Sequence, residues 1–339
     1  MTDKQRWTAD LIPDQTGRVF VVTGANSGLG LATTRELARR GGRVILAVRD
    51  EEKGRKAVEA LAADASPAGP AGAGPAAGAG PAADARPPVD TRPPVDTRLL
   101  DVRPLDLADL DSVRAFADRM RAEHPRLDVL VNNAGVMAPP RTLSPQGHEL
   151  QFATNHLGHF ALTGLLLDLL AAGTDPRVVT VSSINHRQGS LRFDDLNGEH
   201  GYAPMTFYNQ SKFANAVFGK ELHRRLTATA SPVRSVLAHP GYTATSLQMK
   251  DTSGLAKLFF GRVGNPLLAQ RPERGALPQL YAATDPSVTG GEFIGPDGLG
   301  ELRGIPTRVR LSDAAADPGT GRRLWEESER LTGVRFPGL

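Results

Sequence analysis

The sequence predicts an α/β protein: a doubly wound, mostly parallel sheet with helices on both faces, in a single domain over residues 1–339. Three observations carry this. Short runs rich in β-branched residues alternate along the chain with stretches of helical periodicity. A glycine-rich turn, Thr23-Gly24-Ala25-Asn26-Ser27-Gly28-Leu29-Gly30, joins the first such run to the first helix. Tyr208 and Lys212 stand four residues apart in a helical stretch, which sets the phenol and the ammonium side by side on one face.

Residues 18–23 form the first strand, and a helix over 29–40 begins just past the glycines. Missing side chains at Gly24, Gly28 and Gly30 let backbone N–H groups approach a pyrophosphate, and the helix N-terminus adds partial positive charge. A strand before and a helix after favour a dinucleotide over a ligand-free turn. The second strand, Arg43–Val48, puts Val48 where an acid would bind the 2′-hydroxyl of NAD, and Arg49 next, which suits a 2′-phosphate. NADP is therefore expected, with NAD second. The competing reading is that Arg49 merely opens the solvated helix over 51–61.

Residues 66–98 differ in kind. Eight of the 26 prolines fall here among glycine and alanine, and only Val89 and Val95 offer larger apolar side chains. Such a stretch cannot bury a core and is expected to be disordered. The hexapeptide Arg-Pro-Pro-Val-Asp-Thr occurs twice, from Arg86 and from Arg92, too few copies for a repeat architecture. The insert joins the second helix to the third strand, at the end of the sheet opposite a cofactor crevice, where a long loop costs little. An interaction tether is the functional alternative.

The third strand spans 99–105, with Asp106 and Leu107 at its end. Asp106 suits either the adenine amino group or a cap on the next helix. The fourth strand, 127–131, is closed by Asn132-Asn133-Ala134-Gly135, small and amide residues that admit a cofactor closely. A helix over 151–171 carries Asn155, His156 and His159. No third ligand accompanies the two histidines, so no metal site is expected. The fifth strand, Arg177–Val181, ends in Ser182-Ser183, where a hydroxyl can donate to a substrate carbonyl oxygen. No Gly-x-Ser-x-Gly elbow surrounds it, which argues against a hydrolase. The sixth strand, 233–238, leads into Pro240, Gly241, Tyr242 and Thr243, whose backbone and hydroxyl groups suit a carboxamide. Residues 247–268 are placed to cover a substrate, 274–283 read as a helix and 292–294 as a last strand.

Composition narrows the function classes. The net charge of +3 comes from scattered basic residues, which gives nucleic-acid binding little support. The absence of cysteine removes thiol nucleophiles and disulfides. No apolar stretch reaches the ~20 residues of a membrane span, so a cytoplasmic protein is expected. A free tyrosine titrates at roughly 10, and a nearby cation lowers that value. Lys212 is thus expected to tune Tyr208 into a general acid or base.

Residues 23–30, 132–135, Asn155, Ser183, Tyr208 to Lys212, and Pro240-Gly241 occur in an order and spacing that resemble the short-chain dehydrogenase/reductase family. The likeness spans residues 18–298 without the insert. It is nearest to the retinol-dehydrogenase-like branch, through Leu130-Val-Asn-Asn-Ala-Gly-Val-Met137, Asn155-His-Leu-Gly-His-Phe160 and Phe193-Asp-Asp-Leu-Asn197. The resemblance implies a Rossmann-type sheet of seven strands and interconversion of an alcohol with an aldehyde or ketone. It assigns proton exchange to Tyr208, nicotinamide-ribose binding and pKa tuning to Lys212, the substrate oxygen to Ser183 rather than Ser182, and a water relay to Asn155. Cofactor contacts implied are Gly24, Asn26, Ser27, Gly28, Leu29, Gly30, Arg49, Asp106, Leu107, Asn133, Ala134, Gly135, Tyr208, Lys212, Pro240, Gly241 and Thr243. A homo-oligomer is compatible with it. The alternative is a non-catalytic dinucleotide-binding sensor or scaffold, which the intact Tyr–Lys pair disfavours.

Overall fold

The computed structural model describes residues 6–64, 93–243 and 270–339. Most of the proline-rich insert, and all of 247–268, lie outside the described residues. Eight strands form one sheet: β1 (Val19–Thr23), β2 (Arg43–Val48), β3 (Leu100–Pro104), β4 (Val129–Asn132), β5 (Arg177–Val181), β6 (Arg234–Ala238), β7 (Phe293–Pro296) and β8 (Pro306–Arg308). Their order is β3-β2-β1-β4-β5-β6-β7-β8. All pairs are parallel except β7 with β8. The expected seven strands are thus corrected to eight, by a three-residue antiparallel edge strand too short to leave a periodic signal.

Both faces of the sheet are apolar, which is why its strands read as unbroken β-branched runs. Val21, Ile45, Leu130 and Val178 point to one face, where Phe116 of α3 (Leu110–Glu123) and Phe160 lie with them in one core. Phe20, Val22, Val44 and Val131 point to the other, toward Leu37 of α1 (Gly28–Arg39). The helix α2 (Glu51–Asp64) follows β2. The described chain resumes at residue 93, and Val95 packs with Ala38 and Leu61. The last residues of the insert therefore belong to the packed fold, because Val95 finds an apolar niche that its neighbours do not need.

The helix expected over 151–171 is broken into four pieces. These are α4 (Leu150–Phe152), a π-type turn (Ala153–Leu157), α5 (Gly158–Leu165) and α6 (Leu167–Ala171). A π turn shifts the register of a helix and occurs often at functional sites; here it holds Asn155. The long helix α7 (Pro204–Ala228) starts with proline at its first position, where no N–H is needed. It is followed by α8 (Pro272–Gly275), α9 (Leu277–Thr284), α10 (Asp313–Ala316) and α11 (Pro318–Thr332). Trp325 of α11 meets Phe160, Phe218 and Phe336, with ring centroids 5.2, 6.0 and 4.5 Å away. Burying each such ring contributes about 1.5–3 kcal/mol. Among the described residues no helix is long and apolar enough to cross a membrane.

Candidate active site

The carboxyl ends of β1, β4, β5 and β6 converge, and the strand order reverses between β1 and β4, the usual place for a ligand crevice in such a sheet. Gly24 and Gly28 adopt φ of +65° and +53°, a region costly for other residues. A side chain on Gly30 would strike the Gly24 carbonyl and stand 2.7 Å from Asn133 Nδ2. The N-cap of α1, Ser27, spends no side-chain bond on the helix, so the first amides of α1 remain available to an anion.

A cleft of about 380 Å³ opens here. Gly24, Asn26, Ser27, Gly28, Leu29, Gly30, Arg49, Asp106, Leu107, Asn133, Ala134 and Gly135 all line it. Arg49 is exposed and makes no ion pair or hydrogen bond among the described residues. Lys53, Val136, Met137 and Thr154 also line the cleft without having been singled out; only Lys53, one helical turn past Arg49, carried a usable signal. Asp106 accepts from the Ala108 amide at 2.9 Å, while Asp109 caps α3.

Thr23 ties the crevice together. Its hydroxyl accepts from the Asn133 and Ala134 amides, both at 2.9 Å. The Asn155 carbonyl, 2.9 Å from His159 Nδ1, can only accept, so Nδ1 carries the ring proton and donates it there. Nε2 is then left to accept from the Thr23 hydroxyl, 2.9 Å away, which also lies 3.3 Å from the Val131 carbonyl. Burial holds His159 neutral, with its pKa pulled down to about 4, and His156 down to about 3. Both are core histidines, and no metal-binding cluster exists among the described residues.

Tyr208 and Lys212 lie one turn apart on α7, with Lys212 Nζ 6.0 Å from the Tyr208 ring centre. Lys212 is buried and donates to the Val181 carbonyl at 3.2 Å; no carboxylate pairs with it among the described residues. Burial brings its pKa down to about 8. The expectation that Lys212 depresses the Tyr208 pKa is corrected: burial pushes the phenol up to about 12, and only the nearby Ser183 hydroxyl pulls the other way. The ammonium points to Val181 instead, so the desolvation of the phenol dominates.

Ser182 is spoken for, since its hydroxyl donates to the Lys212 carbonyl at 2.7 Å. Ser183, the strand-end hydroxyl near the phenol, accepts from the Asn185 amide at 3.2 Å and reaches Asn185 Oδ1 only at 3.4 Å. Asn155 accepts from the Val136 amide at 2.8 Å and donates to the Val136 carbonyl and to Ser211 Oγ. A side chain at Gly135 would stand 3.2 Å from Asn155 Oδ1 and 3.5 Å from Lys212 Nζ, so the cleft wall at Gly135 borders these side chains, although Asn155, Ser183, Tyr208 and Lys212 do not themselves line the cleft. Pro240, Gly241 and Thr243 sit beyond the cleft wall. Gly275 nevertheless packs against both Thr243 and Leu29, which brings the turn after β6 beside the glycine turn.

A glycine turn and cleft at the switch point, with a phenol, a buried ammonium and a strand-end serine beside the Gly135 wall, define a dinucleotide-dependent oxidoreductase of the α/β class. The short chain dehydrogenase family model matches residues 18–71 and 96–256. The chain belongs to the short-chain dehydrogenase family, within its retinol-dehydrogenase-like branch. It is 39% identical to retinol dehydrogenase 14 of Mus musculus over 94% of this chain and 86% of that protein. Identity to polyprenol dehydrogenase of Mus musculus is 38%, covering 96% and 86%. A crystal structure of an uncharacterized protein from Mycobacterium paratuberculosis superposes with a TM-score of 0.73 at 41% identity, covering 98% and 99% of the two chains. A short chain dehydrogenase of Escherichia coli CFT073 complexed with NADPH shares the fold, with a TM-score of 0.58 at 24% identity over 85% of this chain and 98% of that one.

Proposed function

We propose that the protein interconverts an apolar alcohol and its aldehyde or ketone using NADP(H). The observation that carries the reading is the pairing of Tyr208 with Lys212 one turn along α7, the ammonium buried against the Val181 carbonyl at the strand end that leads to Ser183, with no carboxylate on it among the described residues. A nicotinamide dinucleotide supplies the hydride donor or acceptor. The glycine turn and the free amides of α1 suit its pyrophosphate, and the bare backbone at Gly135 leaves room beside Lys212. Arg49, with Lys53 a turn further on, suits a 2′-phosphate, and no acid stands in the place of Val48. Ser183 orients the substrate oxygen, and Tyr208 gives it a proton in reduction and takes one in oxidation. Lys212 can pass a proton onward, with Asn155 binding both backbone groups of Val136 beside it. The names of the relatives, retinol and polyprenol dehydrogenases, support an apolar alcohol. A cytoplasmic site of action belongs to the same reading.

The test is a panel of aldehydes and ketones assayed with NADPH and with NADH, alongside Tyr208→Phe. NADPH should be preferred. Tyr208→Phe should lower kcat by about 10²–10⁴-fold, the usual worth of a general acid, and leave NADPH binding intact. Retained turnover in Tyr208→Phe would remove the assigned acid.

A further inference from the structure

Glu301 sits in the turn between β7 and β8 with φ of +56°, directly after Gly300 at +61°. A left-handed conformation is costly for a residue with a side chain and cheap for glycine. If the turn alone mattered, glycine would serve better at 301. Such an outlier points from strain to a role for the side chain.

The side chain reaches two other strand ends. Oε1 accepts from Arg187 at 2.7 Å, and Oε2 meets His239 Nε2 at 2.9 Å. Arg187 belongs to the helical turn Ile184–Gln188, whose N-cap is Ser183. His239 is fully buried and immediately precedes Pro240-Gly241. Its Nδ1 accepts from the Gly241 amide at 3.3 Å, so its proton resides on Nε2 and is donated to Glu301. The hydrogen bond from His239, helped by Arg187, holds the Glu301 carboxyl down at about 2. The neighbouring backbone follows the same path: the Tyr242 amide donates to the Leu302 carbonyl at 2.7 Å. A side chain on Gly295 would collide with His239 Nε2, so the strand beside the pair is kept bare.

We propose that Glu301 is a positioning residue for the oxidoreductase reaction. One carboxylate oxygen braces the Ser183 turn through Arg187, and the other fixes the Pro240-Gly241 turn through the Nε2–H tautomer of His239. The proposal rests on the functional reading above, because it takes Ser183 and Gly241 to face substrate and cofactor. It places the β7–β8 turn, beyond the reach of the cleft, in control of the gap between two catalytic loops.

The decisive variant is Glu301→Gly, which relieves the backbone strain while deleting both contacts. Melting temperature should hold or rise. With the best carbonyl substrate of the panel, kcat should fall about tenfold to a hundredfold, the scale of a small misplacement of reacting groups. The affinity for NADP⁺ alone, held chiefly at the glycine turn, should change much less. Glu301→Gln, which keeps an acceptor for His239 but sets an amide against Arg187, should fall between. Nitrogen NMR of the His239 ring should change from the single Nε2–H form to a mixture in Glu301→Gly. Full kcat in Glu301→Gly, or a sharp fall in its melting temperature, would overturn the proposal. If the wild-type protein turns over nothing in the panel, the functional reading fails by itself. The NMR arm then decides the bracing contact, and an unchanged ring spectrum in Glu301→Gly would overturn it.

Discussion

The two ends of strand β5 treat buried charge in opposite ways. At the amino end, Arg177 is completely buried, and both terminal nitrogens of its guanidinium find acceptors, while Nε has no partner among the described residues. It donates to the Ala282 and Asp285 carbonyls at 2.9 Å each and to Asp175 at 2.7 Å. Asp175 also pairs with Arg18 and Arg234, and buried Asp128 accepts from the Val19 and Thr174 amides. At the carboxyl end, Lys212 is buried against the Val181 carbonyl with no anion among the described residues. The difference teaches how to read a buried cation. One paired with an anion is part of the scaffold, whereas one without an anion is held in readiness for chemistry.

The widest separation should come from Lys212→Met. Turnover should fall about a thousandfold, within the range of acid–base contributions, while the melting temperature holds or rises. The Val181 carbonyl keeps a donor in Asn215 at 3.2 Å, so the substitution orphans nothing there. A loss of stability matching that of a scaffold residue would break the contrast. Arg177→Met should do the reverse: a loss of about 3–5 kcal/mol, because acceptors buried around one charge lose their donor. The kcat of the folded fraction should stay unchanged, as urea titration and assay would show together.

A pH series sharpens the same comparison. The folded pKa of Lys212 is depressed from 10.5 to about 8. Between these values the unfolded chain binds more protons than the folded one, so the lysine's cost to stability is full below about pH 8 and fades toward pH 10.5. The stability advantage of Lys212→Met over wild type should therefore be largest near pH 7 and shrink by pH 10. A constant difference would mean that the buried amine is not the titrating group. The smallest effect is expected at the exposed Arg49. Arg49→Ser should reduce the preference for NADPH over NADH about tenfold, the worth of one charge-assisted hydrogen bond. No change would return that arginine to the solvated helix it precedes.

Much of this was legible because it is local. The glycine turn, the strand-end amides and the Tyr–Lys spacing each need only a few consecutive residues to declare themselves. Elements that depend on distant partners were not. Strand β8 exists through its pairing with β7, and the aromatic cluster around Trp325 is built from four separated segments. The π turn at Asn155 hides within a good helical pattern, since its cause is the bonding of that side chain to Val136 and Ser211. The phenol's raised pKa was misjudged for the same reason: spacing showed the cation nearby but not its aim at Val181, nor the depth of burial. The motif around Phe193-Asp-Asp-Leu-Asn197, recognised only by likeness, proves to have a plain task. Asp195 accepts from the Glu199 and His200 amides, and Asn197 from Glu149.

Thr23 carries a consequence for how such a crevice can exist. Two parallel strands, once paired, tend to go on pairing, because each unmet amide invites the neighbouring carbonyl. Past Val22 and Val131 that invitation is withdrawn: just beyond β4 the Asn133 and Ala134 amides meet the Thr23 hydroxyl, and the Asn133 side chain takes the Thr23 carbonyl. A valine at 23, nearly the same in shape, would leave the Ala134 amide without that acceptor. Side-chain groups thus stand in for the next rungs of the ladder where the cleft begins.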